Sequence, residues 1–162
     1  MKIAVLLAAS YLIGSIPFGV IAGRAWRGVD VRRFGSGNIG FSNVLRVLGP
    51  GVASVVLAGD VLKGLAPVAV GRLLLRAWGT PEPELWLLAV SLAPILGHSF
   101  SVFLGFRGGR AVATVAGTLL GLAWPAALVI ARHIPNLGRL LEGTEAKIGQ
   151  RVEVERDSDS TA

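Results

Sequence analysis

At 162 residues the chain is long enough for one domain and hardly for two. Hydrophobic residues make up 52% of it and charged residues only 16%, with a mean hydropathy of +0.64. This balance excludes an ordinary soluble domain and indicates a membrane protein. Sixteen Lys and Arg face ten Asp and Glu; beside such apolar runs the excess suits juxtamembrane charge and anionic substrates better than nucleic acid. The absence of cysteine excludes a disulfide scaffold, a thiolate nucleophile and a Cys-ligated metal.

The first apolar run extends from Ile3 to about Ala22, roughly the 20 residues a helix needs to cross a bilayer. It is long for the apolar region of a signal peptide, and Gly14, Ser15 and Pro17 break its middle, so a retained span is expected. The following loop carries Arg24, Arg27, Arg32, Arg33 and Arg46, whereas only Lys2 precedes the span. The positive-inside rule therefore puts this loop in the cytoplasm and the N-terminus outside.

Within the loop, Gly35-Ser36-Gly37-Asn38-Ile39-Gly40 is too polar to pack as core. Its glycines permit positive φ and close backbone approach to a ligand. With a helix starting near Ser42 or Asn43, successive amides would form an anion-binding nest, with Ser36 and Asn38 adding donors and Arg46 a phosphate-matching fork. The alternative is a plain turn between helices.

A second apolar run, Gly51 to Leu75, contains Asp60 and Lys63, three apart and so on one helix face. Ionisable residues at membrane depth are expensive, which points either to a functional site or to a structural ion pair. Gly64 and Pro67 suggest a broken helix beside the pair. Arg72 and Arg76 would face outside, against the charge rule. The third run, Leu85 to Phe106, contains His98, nine residues before Arg107 and about 13 Å deep if the run is helical. Gly108 and Gly109 lie between Arg107 and Arg110, again glycines flanked by cations that suit a phosphate or a membrane-surface stop signal. The fourth run is Ala111 to Ala131, and His133 and Asn136 follow it around Pro135. An all-α, polytopic membrane fold of four apolar segments is expected, with residues 1–149 as the membrane domain and 150–162 as a flexible polar tail.

Acid–base chemistry on paired carboxylates finds no support, since Asp30 and Asp60 are the only acids before Glu82. Nucleophile elbow, P-loop lysine and HExxH patterns are absent. What remains is a series of cation-plus-glycine or amide stations near one membrane face, suited to substrates that bring their own phosphates and activation.

Five blocks, "GSIPFG" (14–19), "VDVRRFGSGNIGFSNVLRVLG" (29–49), "DVLKGLAPV" (60–68), "GHSFSVFLGFRGGRAVAT" (97–114) and "RHIPNLGRLLEGTEAKIG" (132–149), resemble in order the bacterial acyl-phosphate-dependent glycerol-3-phosphate acyltransferases, which are integral membrane enzymes. The resemblance implies attack of the 1-hydroxyl of glycerol 3-phosphate on acyl phosphate, giving lysophosphatidic acid for phospholipid synthesis, with no cofactor or metal. It implies His133 and Asn136 as catalytic residues. For substrate binding it implies Ser36, Gly37, Asn38, Gly40, Asn43, Arg46, Lys63, Gly64, His98, Gly108, Gly109 and Arg110. The partners implied are the two substrates and the lipid bilayer of the bacterial cell membrane.

Five positions depart from the family pattern. Phe41-Ser42 replaces Ala-Thr, Arg110-Ala111 replaces Lys-Gly, and Val115 stands where a serine is common. Between Thr118 and Arg132 one apolar run joins blocks that the family separates, as though roughly two helices of chain were missing. If residues 111–131 cross once, His133 and Asn136 emerge opposite Ser36 and Arg46. A re-entrant hairpin bending at Gly121 or Pro125 would return them to the same face, with protein cover that a homodimer could supply. The rival function is a non-catalytic paralogue that binds lipid or anionic metabolites, or partners a full-length enzyme. A small anion transporter ranks third, because the motifs lie at one face and not at the midplane.

Overall fold

The structure is a computed structural model that describes residues 1–123, which are helical and loop throughout. The end of the fourth apolar run, the His133–Asn136 segment and the polar tail lie outside the described residues. Six α-helices follow in order: α1 (Lys2–Ser15), α2 (Phe18–Arg27), α3 (Phe41–Leu48), α4 (Pro50–Ala77), α5 (Pro83–Ser99) and α6 (Val112–Ala123). Short 3₁₀ turns occur at Val31–Arg33 and Val102–Leu104.

Helices α1 and α2 form one 26-residue apolar segment, Lys2–Arg27, interrupted at Ile16-Pro17. Pro17 has no amide proton, so the helical ladder breaks there, as its position in the sequence suggests. With α4 and the Pro83–Leu104 segment, this makes three units long and apolar enough to span a bilayer; α6 is a shorter fourth. On α5, Leu85, Leu88, Leu92 and Leu96 recur every three or four residues on one face and are all half exposed or more. Such a stripe is stable against lipid and would be an aggregation surface in water.

Lipid-facing and protein-facing apolar groups are equally comfortable in a bilayer, so these helices associate through close packing and polar contacts. Gly14 of α1 lies against the Pro94 backbone of α5, and Gly97 of α5 against the Tyr11 carbonyl; a Cβ at either would collide. Gly64 and Gly117 make the same backbone approach between α4 and α6. Two apolar clusters result. One, with Val68, Leu75, Leu87 and Val90, joins α1, α4 and α5. The other, with Val31, Ile39, Val44 and Val56, holds the polar loop and α3 against α2 and α4.

Two expectations are corrected. Helix α4 runs unbroken past Gly64 and Pro67. A proline inside a membrane helix costs one backbone bond, which neighbouring helices can compensate. The third run does not stay helical to Phe106: α5 stops at Ser99, and Gly105 and Phe106 take positive φ of 62° and 63°. His98 is therefore in the last turn of α5, and the helix that would have put it about 13 Å from Arg107 does not continue.

Candidate functional site

The loop that leaves α2 is anchored before it reaches the site. Asp30 caps the Val31–Arg33 turn, accepting from the Arg32 amide at 3.1 Å and from its guanidinium at 2.6 Å. The Arg32 hydrogen bond holds the Asp30 carboxyl down at about 2. Gly35 and Gly37 then take φ of 59° and 71°, the left-handed values glycine tolerates best.

Asn43 organises the glycine-rich stretch from within. It is buried, accepts from the Ser36 amide at 2.8 Å, and donates both amide protons, to the Val31 carbonyl at 2.9 Å and the Asn38 carbonyl at 2.8 Å. Asn38 in turn accepts from the Gly40 amide at 3.0 Å. This corrects the expected run of free amides: those of Ser36, Gly37 and Gly40 are satisfied within the loop. The amides of Phe41 and Ser42, in the first turn of α3, make no hydrogen bond among the described residues. Helix α3 begins at Phe41 and carries Arg46 one turn further on.

These groups border a cavity of about 560 Å³. Ser36, Asn38, Gly40 and Arg46 contribute from the loop and α3, His98 from α5, and Arg110 from the start of α6. Leu57, Val61, Ala113 and Ala116 of α4 and α6 make an apolar wall that continues from the polar mouth. Blocks far apart in the chain meet at Gly109, where a Cβ would strike the His98 ring and crowd Asn38. The Gly109 amide donates to the His98 carbonyl and the Gly108 amide to the Ser99 carbonyl, both at 3.0 Å, folding the Arg-Gly-Gly-Arg segment back onto α5.

Lys63 and Gly64 do not line the cavity. The Lys63 ammonium pairs with Asp60 at 2.7 Å, donates to the Ile16 carbonyl at 2.8 Å and lies over the Phe18 ring. It thereby satisfies an acceptor exposed by the α1–α2 break. Gly64 is the contact surface for the α6 backbone at Thr114. Gly37 shapes the loop, Asn43 both shapes it and borders the cavity, and His133 and Asn136 are outside the described residues.

Sequence reasoning read Asp60 with Lys63 as either a functional site or a structural ion pair, and did not single out Thr114. Asp60 borders the cavity, and its Oδ1 lies 3.7 Å from His98 Nδ1, which is itself 3.2 Å from Thr114 Oγ1. The spacing of Asp60 and Lys63 was the available signal for the first; a threonine on an apolar helix offers none for the second. Arg46 and Arg110 meet no carboxylate among the described residues, so the cavity is a cationic mouth on an apolar wall, able to hold a phosphorylated amphiphile.

Comparison with known proteins agrees with this geometry. A family profile described as glycerol-3-phosphate acyltransferase matches residues 4–133. The glycerol-3-phosphate acyltransferase of Gloeobacter violaceus is 50% identical over 125 residues, 76% of this chain and 60% of that protein. That of Rubrobacter xylanophilus is 52% identical over 124 residues, 76% of this chain and 58% of that protein. The chain thus spans about three fifths of the length of these relatives. A Synechococcus relative (strain JA-3-3Ab) of the same name is 37% identical over 201 residues, covering 92% of this chain and 96% of that protein. About fifty positions of it have no counterpart here, the length of two ~20-residue crossings with their loops. Among solved structures, PlsY (YgiH), an integral membrane glycerol 3-phosphate acyltransferase, superposes in its glycerol 3-phosphate form with a TM-score of 0.66 at 29% identity, covering 92% of this chain and 96% of that one. Its lysophosphatidic acid form gives 0.64. The chain belongs to the glycerol-3-phosphate acyltransferase family.

Proposed function

We propose that this chain transfers an acyl group from acyl phosphate to the 1-hydroxyl of glycerol 3-phosphate, releasing lysophosphatidic acid and phosphate. The observation that carries the reading is the cavity, in which Ser36, Arg46 and Arg110 face an apolar wall of Leu57, Val61, Ala113 and Ala116. Both substrates carry a phosphate for the cationic mouth, and the donor alone carries a chain for the wall. The hydroxyl oxygen attacks the acyl carbonyl carbon, the new ester bond forms, and the bond to phosphate breaks. A mixed anhydride needs no protein nucleophile, so the arginines act by positioning and by stabilising charge as phosphate departs, and a phosphate oxygen takes the hydroxyl proton.

In this reading the chain lies in the bacterial cell membrane with its N-terminus outside and the motif loops in the cytoplasm. His133 and Asn136 join the site if the chain beyond Ala123 returns to the motif face, with a second copy covering its backbone. The fifty absent positions favour one other reading, a non-catalytic paralogue with those residues on the far side.

One experiment separates the two. The full chain carrying a single cysteine at position 133 is labelled from each side in intact cells, and the unaltered chain is assayed in lipid vesicles with acyl phosphate and glycerol 3-phosphate. Cytoplasmic labelling with lysophosphatidic acid formation is the expected result. External labelling without product overturns the acyltransferase reading.

A further inference from the structure

The cavity holds one feature that phosphate binding does not explain. Among the described residues its other charged groups are cations, yet Asp60, a carboxylate that repels phosphate, forms part of its wall. Asp60 is 2% exposed, and among the described residues its one charged partner is Lys63, whose Nζ lies 2.7 Å from Oδ1 and leaves the carboxylate with further acceptor capacity. His98 Nδ1 is 3.7 Å from the same oxygen, beyond hydrogen-bond reach, and is nearer to Thr114 Oγ1. The other acids of the described residues are spent elsewhere or distant: Asp30 on Arg32, Glu84 near Arg72 and Arg76, and Glu82 at the start of α5.

Stability alone does not account for the Asp60–Lys63 pair. A buried ion pair replaced by well-packed apolar residues is often neutral or stabilising, so retention of the pair beside a cavity calls for another reason. A carboxylate accepts and never donates, and a group bound there must bring its own proton. Phosphate dianions cannot do this; a hydroxyl can.

We propose that Asp60 is the hydroxyl acceptor of the cavity, orienting the polyol part of a phosphorylated polyol, and that Lys63 is the positioning residue that holds the carboxylate in place. The inference rests on the acyltransferase reading for the identity of that polyol. Asp60 contributes selectivity for the hydroxyl-bearing substrate, while Arg46 and Arg110 supply affinity for any phosphate. The lysine keeps the wall close to neutral, so the carboxylate can stand near a phosphate without expelling it. Lys63 is itself fixed by the Ile16 carbonyl and the Phe18 ring, at the break between α1 and α2. The interruption of the first span thus reaches the site through one side chain.

The test compares two dianions, glycerol 3-phosphate and methyl phosphate, which differ in hydroxyls, by calorimetric titration of the full chain in lipid nanodiscs. The unaltered chain is expected to prefer glycerol 3-phosphate by about tenfold or more, as one hydrogen bond to a charged group allows. Asp60→Asn, with the same shape and no charge, is expected to reduce the preference to within about twofold, with methyl phosphate binding unchanged or tighter. A merely structural Asp60 would lower both affinities together. Should Asp60→Asn fail to fold because Lys63 is left unpaired, the double variant Asp60→Asn/Lys63→Met removes both charges and is read by the same ratio. A preference that survives Asp60 replacement, or none in the unaltered chain, overturns the proposal. Preference without acyl transfer keeps this inference and removes the acyltransferase reading; transfer with a preference indifferent to Asp60 does the reverse.

Discussion

The two ends of the bundle put their arginines to opposite uses. Where α4 ends and α5 begins, Arg72 and Arg76 approach Glu84, and Arg72 also donates to the Leu122 carbonyl at 2.8 Å. It also lies 3.4 Å from the Gly121 carbonyl, so this cation serves acceptors in α6. At the motif end, Arg46 and Arg110 line the cavity and meet no carboxylate among the described residues. A paired arginine is part of the scaffold, whereas one left beside a cavity keeps its donors for a ligand. Composition counts all four alike; their neighbours distinguish them.

Substitution is the strongest way to break the contrast between the two ends. Arg46→Ala should lower kcat/KM for acyl transfer by about a hundredfold or more, the scale of losing a charged donor at developing negative charge. Arg76→Ala, at the opposite end, should leave turnover within about twofold, because an exposed ion pair contributes little. Assays of both purified variants, with thermal melts to check folding, decide the matter, and equal losses would erase the distinction between the two ends.

A smaller effect concerns the strain beside Arg110. Ala111 is buried at φ 58°, a left-handed conformation that costs an alanine about 1 kcal/mol. Ala111→Gly should therefore stabilise the fold by about that amount, visible as a higher melting temperature or denaturant midpoint. The resemblance read from the sequence implies glycine at this position, the residue that suits this backbone conformation. A destabilised glycine variant would mean that the alanine methyl contributes more by packing than the backbone loses.

The smallest effect belongs to the loop anchor. The Asp30 carboxyl is held at about 2, below its usual 3.8, so the folded state binds that proton less readily than the unfolded chain. The Asp30–Arg32 contribution is then fully present above about pH 4 and fades as pH falls through about 2. Carboxyl NMR of Asp30 should titrate near 2, and Arg32→Ala should raise the midpoint toward 3.8. An unchanged midpoint in the variant would assign the depression to another group.

Several features of the molecule were legible in its sequence. The apolar runs located the spans, Pro17 marked the break in the first, and spacing paired Asp60 with Lys63. The glycines of the 35–40 stretch were read as permitting positive φ; Gly35 and Gly37 take it, whereas Gly40, at φ −89°, does not. Gly64 and Pro67 misled because helix interruption depends on whether neighbours compensate the lost bond, and α4 continues through both. The depth of His98 was misread because hydropathy does not distinguish a helix from the apolar 3₁₀ turn and loop after Ser99.

By itself the sequence determined a membrane protein with cationic, glycine-rich segments between apolar runs, because hydropathy, charge and backbone freedom are properties of single residues and short windows. Only the tertiary structure decided that Asn43 spends its amide protons on the loop, that Lys63 reaches the break at Ile16, and that Asp60 joins Arg46 and Arg110 around one cavity. Each of those outcomes depends on which groups meet in space, some of them, Arg46 and Arg110, 64 residues apart in the chain. Periodicity reports the face of a helix a residue occupies and carries no record of what lies opposite.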